Sequence, residues 1–118
     1  MNKSTTVLMV FLLVGIGSAF ASTKDKEQAE AKGIYQQHCA MCHGQDGKGA
    51  TPIGKKFQIP DLHSSTVQKN TDAELTQIID NGKGKMPPFK SQLKPEQVKD
   101  LVAYIKGMGS SGASSAKK

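Results

Sequence analysis

Cys39-Ala40-Met41-Cys42-His43 sets two thiols and an imidazole within five consecutive residues. No other cysteine occurs in the chain of 118 residues. A disulfide across two intervening residues closes so small a loop that it would stabilise the fold little. The pair therefore needs a chemical reason to exist. The length suits one small domain. With 36% hydrophobic and 5% aromatic residues and no Trp, its supply of core material is thin. All 16 basic residues are Lys, set against 10 acids for a net charge of +6. Sequence-specific DNA binding relies heavily on Arg for bidentate guanine contacts and minor-groove insertion, so no nucleic-acid partner is expected.

Upstream of the motif, Met1–Thr6 carry one basic side chain, Lys3, ahead of the apolar run VLMVFLLV at Val7–Val14 and a small-residue stretch ending Ala19-Phe20-Ala21. That layout reads as a cleaved secretory signal peptide over residues 1–21, with the mature chain starting at Ser22. Val7–Ala21 includes Gly15, Gly17 and Ser18 and is shorter than the roughly 20 apolar residues a span requires. The expectation is a periplasmic protein with no membrane insertion after cleavage.

Three helices are expected in the mature chain. The first runs from about Lys24 to Cys39, with Ala31, Ile34, Tyr35 and Cys39 forming one apolar stripe. The second lies between Thr71 and Gly82, opened by the capping box Thr71-Asp72-Ala73-Glu74. The third opens at Pro95 and continues to about Lys106, burying Val98, Leu101, Val102 and Ile105. Gly44–Ser65 and Lys83–Leu93 read as loops rich in Gly and Pro, and residues 107–118 as a mobile tail after a domain at 22–106. Three short helices and long loops make a poor core, which suggests that a large apolar group completes it.

C-x-x-C-H is the attachment signature of c-type haem. Two thiols add across the vinyl groups of one porphyrin, forming thioethers, and the next His becomes the proximal ligand of the iron. A thioredoxin-type C-x-x-C would follow a strand, and none is evident here. A zinc site would want four ligands, yet no second C-x-x-C or H-x-x-x-H is present, and the spacings of His38 and His63 suggest nothing. Cys39 and Cys42 are thus the expected attachment points and His43 an iron ligand. Met86 is the candidate for the sixth position, with Gly82-Lys83-Gly84-Lys85 supplying flexible backbone and Pro87-Pro88 stiffening the chain beyond. His63 is its competitor. Met41 sits between the cysteines and cannot reach the far face, while Met108 suits core packing.

The chain resembles the class I monohaem cytochromes c over nearly all of Lys24–Met108. The motifs are CAMCHG at Cys39–Gly44, GKGKMPPF at Gly82–Phe89 and DLVAYI at Asp100–Ile105, with Tyr35 four residues before the first Cys. The resemblance implies an all-α cytochrome c fold, three to four short helices wrapped around one covalent haem c. It also implies crossed terminal helices, with Ala31 and Tyr35 packed on Leu101 and Tyr104; Ala31 stands where the family usually has Gly. Pro52 resembles the proline whose carbonyl accepts the proximal His Nδ1–H.

A haem iron with His and Met ligands changes charge without taking up a substrate, so the expected role is a single-electron carrier, not an enzyme. Ile53, Phe57, Leu62, Ile79 and Phe89 are expected to pack dry around the haem. The alternative is a peroxidase-like haem enzyme or ligand-binding protein with a labile Met. Gly47–Pro60 contains Lys48, Lys55 and Lys56 and no acid; Gly82–Pro95 contains Lys83, Lys85, Lys90 and Lys94 and no acid. Lysines concentrated at the haem edge would steer an acidic redox partner into brief encounters with a monomer.

Overall fold

The computed structural model describes residues 22–115. The expected signal peptide, residues 1–21, lies outside them. Six helices follow in chain order: α1 Thr23–His38, α2 Ala40–His43, α3 Pro52–Phe57, α4 Ser65–Gln68, α5 Asp72–Asn81 and α6 Pro95–Ser115. Among the described residues there is no strand, only an isolated antiparallel bridge between Lys83 and Met86. No described helix is long and apolar enough to cross a membrane.

Two of the three long helices start where local chemistry directs. Thr71 caps α5 reciprocally, its backbone N–H donating to Glu74 Oε2 at 2.7 Å while Glu74 N–H donates to Thr71 Oγ1 at 3.2 Å. A cap of this kind contributes about 1 kcal/mol. At α6, Pro95 occupies the first turn, where its missing N–H costs nothing, and Gln97 Oε1 accepts from Lys94 N–H at 2.9 Å. Helix α1 has no side-chain cap. Its stability must come from the buried stripe Ala31, Ile34 and Tyr35.

That stripe meets α6, the most extensive helix pairing in the fold, with α5 packed on α6 next. Ala31, Tyr35 and Leu101 are almost wholly buried, and the Tyr35 and Tyr104 rings stack at a tilt with centroids 5.4 Å apart. The terminal helices therefore cross as the resemblance implied. Leu62, Val67, Leu75, Ile79, Phe89, Leu93, Val98, Val102 and Ile105 fill the rest of the core. Each of these side chains contributes roughly 1.5–3 kcal/mol by leaving water.

Two differences from the sequence reading have local causes. The segment read as one loop, Gly44–Ser65, contains α3 and leads into α4, each started by a side-chain cap. Thr51 Oγ1 accepts from Gly54 N–H at 2.9 Å, and Ser64 Oγ from Val67 N–H at 3.4 Å. These helices are too short to show apolar periodicity. The last helix, expected to end near Lys106, continues to Ser115. Tertiary contacts carry it past Gly107. Met108 packs on the core, Gln68 Nε2 donates to Ile105 O at 2.9 Å, and Lys106 Nζ donates to the Gln68 and Asn70 carbonyls.

Candidate haem-attachment site

Cys39 is the single non-helical residue between α1 and α2, and it carries the chain from one helix axis to the next. Helix α2 then presents Cys42 and His43 within one turn, their N–H groups donating to Cys39 O at 3.1 and 2.9 Å. The carbonyls beyond are all engaged from outside α2. Thr51 Oγ1–H donates to Cys42 O at 2.8 Å, Gly49 N–H to His43 O at 2.7 Å, and the Tyr35 hydroxyl to Gly44 O at 2.8 Å. The backbone passes close enough that a side chain at Gly54 would lie 2.7 Å from Cys42 O. The 44–59 segment is thus cinched against the Cys42-His43 backbone, which leaves these side chains fixed in direction.

The two cysteines are half-buried and not joined to each other, whereas Met41 between them is 72% exposed. Burial, reinforced by the neighbouring Cys42, pushes the Cys39 thiol up to about 11. Burial also lowers the His43 imidazole below its ordinary value, so the ring is neutral at pH 7 and holds a lone pair for a metal.

His43 Nδ1 is buried and without a hydrogen-bond partner. The bond to the Pro52 carbonyl that the resemblance implied is therefore not made; Pro52 opens α3, whose first-turn carbonyls are directed along its own axis. A neutral imidazole with an orphaned nitrogen, beside two cysteines, is a donor set short of a partner.

Met86 packs on the core as well. It and Cys39 are both half-buried and pack on one apolar cluster. The Met86 segment, expected to be flexible, is a closed turn. Lys83 N–H donates to Met86 O at 3.1 Å and Met86 N–H to Lys83 O at 3.0 Å. The chain is then stitched back to the end of α5, with Phe89 N–H on Ile79 O at 3.0 Å and Lys90 N–H on Asp80 O at 3.2 Å. A thiol and a thioether on one apolar cluster, with a second thiol and an imidazole three and four residues beyond the first, are a donor set that suits an iron porphyrin.

The competing assignments have less around them. His63 Nδ1 is 2.6 Å from Asp61 Oδ1, which also accepts His63 N–H at 2.8 Å. Burial raises the Asp61 carboxyl somewhat, but the backbone and side-chain bonds from His63 outweigh it and hold the group below its usual range. Among the described residues no three His, Cys, Asp or Glu side chains gather as a metal site would need. A helix, not a strand, precedes Cys39.

Of the side chains expected to pack around the haem, Leu62, Ile79 and Phe89 are buried and Ile53 is half-buried. Phe57 is 41% exposed, with Lys56 Nζ 5.5 Å and Lys85 Nζ 5.7 Å from its ring centroid. The two lysine-bearing segments therefore meet at Phe57. Sequence reasoning missed Thr51 and the hydroxyl role of Tyr35; Thr before Pro at a helix start was a legible signal for the first.

A helical fold around an apolar centre edged by C-x-x-C-H and a thioether defines a c-type cytochrome. The sequence matches, over residues 26–105, the family described as cytochrome c oxidase, cbb3-type, subunit III, and the chain belongs to that family. It is 38% identical over 74 residues to cytochrome c6 of Nostoc sp., covering 63% of this chain and 64% of that one. It is 31% identical over 90 residues to the cbb3-type cytochrome c oxidase subunit CcoP of Azospirillum brasilense, covering 75% of this chain and 30% of that subunit. The chain thus spans less than two thirds of either relative. The solved structure of the KustC0563 c-type cytochrome superposes with a TM-score of 0.61 at 35% identity, over 66% of this chain and 95% of that one. The chain is a small class I monohaem c-type cytochrome, and membership of the family implies one covalently attached haem c.

Proposed function

We propose that this cytochrome is an exported, periplasmic single-electron carrier without catalytic activity, its haem joined to Cys39 and Cys42 and its iron held by His43 and Met86. The observation that carries the reading is that Cys39 and Met86, 47 residues apart in sequence, border one apolar cluster while the Cys42 and His43 carbonyls are held by Thr51 and Gly49. When bound, the haem supplies a one-electron iron couple.

The residues divide the remaining work. His43, neutral and buried, offers a nitrogen donor without a proton to lose. Met86 offers a soft thioether, which favours the ferrous state and raises the potential above that of a bis-His iron. Leu62, Ile79 and Phe89 keep water from the interior. The turn carrying Met86 holds no His or Arg that could move a proton on a bound peroxide, which favours electron transfer over a peroxidase-like role.

Lys48, Lys55, Lys56, Lys83, Lys85, Lys90 and Lys94 are all exposed and steer acidic redox partners to a monomer by long-range attraction. The partner requirement is then weak, brief docking, as turnover of a carrier demands.

Carbon monoxide tests the reading. The reduced protein should bind it poorly at neutral pH, and Met86→Ala should bind it readily at a lower reduction potential. Ready binding by the unaltered protein would favour the haem enzyme instead.

A further inference from the structure

Building on Met86 as the axial thioether, we propose that Gly82 is the positioning residue for Met86: the missing side chain at 82 lets the turn close and so fixes where the Met86 sulfur stands. Gly82 has φ +75°, and a Cβ there would lie 2.5 Å from Met86 O and 3.0 Å from both Pro87 C and Pro88 N. These are backbone atoms, which cannot swing aside as the end of a side chain can.

Nor can the displacement be absorbed downstream. Pro87 and Pro88 have φ fixed by their rings, and the N–H groups of Phe89 and Lys90 are already bonded to Ile79 O and Asp80 O. The carbonyl that would be pushed is also the acceptor for Lys83 N–H, one of the two bonds that close the turn. A methyl group at 82 therefore moves Met86 itself.

Gly84 provides an internal comparison. It lies in the same turn with φ +59°, yet nothing stands within 4 Å of a Cβ placed on it. Alanine at either position bears the strain of a left-handed backbone. Only alanine at 82 also collides with Met86.

The test compares ferric and ferrous holoprotein of the wild type, Gly82→Ala and Gly84→Ala. The readouts are the thioether-to-iron charge-transfer absorption, the reduction potential and the affinity for added imidazole. Gly84→Ala should keep the absorption band and the wild-type potential. Gly82→Ala should weaken the band, lower the potential and bind imidazole about tenfold more tightly, because the open form is more populated. Equal behaviour of the two variants in all three readouts would overturn the proposal. A wild-type protein lacking the band would instead sink the Met86 assignment on which it rests. Should Gly82→Ala fail to yield folded holoprotein, amide exchange in the wild type decides: protected Lys83 and Met86 N–H groups support a closed turn, and exchange at free-loop rates contradicts it.

Discussion

The Tyr35 hydroxyl donates to Gly44 O at 2.8 Å, tying the buried face of α1 to the residue that ends the C-x-x-C-H turn. Tyr35 is only 1% exposed, and its ring also stacks on Tyr104 of α6. One side chain therefore joins the helix crossing to the attachment site. Burial, with the nearby Cys39, Tyr104 and Asp46, raises its phenol well above the ordinary value, so it remains a donor across the working pH range.

Tyr35→Phe should keep the ring packing and lose the bond, leaving the Gly44 carbonyl with its one remaining donor, the Gly47 N–H at 3.1 Å. Denaturant unfolding of the holoprotein should show a loss of about 0.5–1.5 kcal/mol, the net worth of one hydrogen bond. A wild-type midpoint would mean that water replaces the hydroxyl.

Thr51 holds Cys42 O and receives Gly54 N–H with a single oxygen. Thr51→Val keeps the shape and removes both bonds, and should cost about 1–2 kcal/mol of holoprotein stability. Thr51→Ser should recover most of it. Chemical unfolding of the two variants side by side checks this; a Val variant as stable as the wild type would remove the two bonds from the account.

How much of this was readable in advance varies with the length of the element. The Thr71 capping box, the Gly82 stop and Pro95 placed α5 and the start of α6 because each is a local rule with its own residues. Apolar spacing indicated the buried faces of α1 and α6, and the family resemblance alone implied that the two pack on each other. Helices α3 and α4 were hidden because four to six residues hold too little periodicity. The continuation of α6 beyond Lys106 depends on Gln68 and Met108, contacts between segments distant in sequence. At the site, residue types and spacing indicated Cys39, Cys42, His43 and Met86. The closed turn at Lys83–Met86 and the orphaned His43 Nδ1 are properties of the assembled backbone.

Acid should act through Asp61. Its carboxyl titrates lower in the fold than in the unfolded chain, because the His63 bonds outweigh the effect of burial. The resulting stabilisation is complete above the ordinary carboxylate range and disappears as pH falls through the depressed folded value. The pair is part-exposed, with Asp61 at 44% and His63 at 25%, so solvent screening should keep the effect below about 1 kcal/mol. Asp61→Asn should flatten that part of the stability–pH curve, measured by thermal unfolding between neutral and acid pH. An unchanged curve would remove Asp61 from the account.

Lys56 and Lys85 converge over the exposed Phe57 ring from separate segments. Reversing both charges to Glu should slow association with an acidic redox partner by about tenfold at low salt, with the difference shrinking as salt is added. Stopped-flow rates across ionic strength provide the check. Rates independent of these two charges would place docking elsewhere.

The most direct measurement is the intact and peptide-level mass of the protein isolated from its native host. One haem should remain through acidified-acetone extraction, with Cys39 and Cys42 both recovered as thioether-bearing residues in a single peptide. A chain whose two cysteines carry no added mass would contradict the account at its centre.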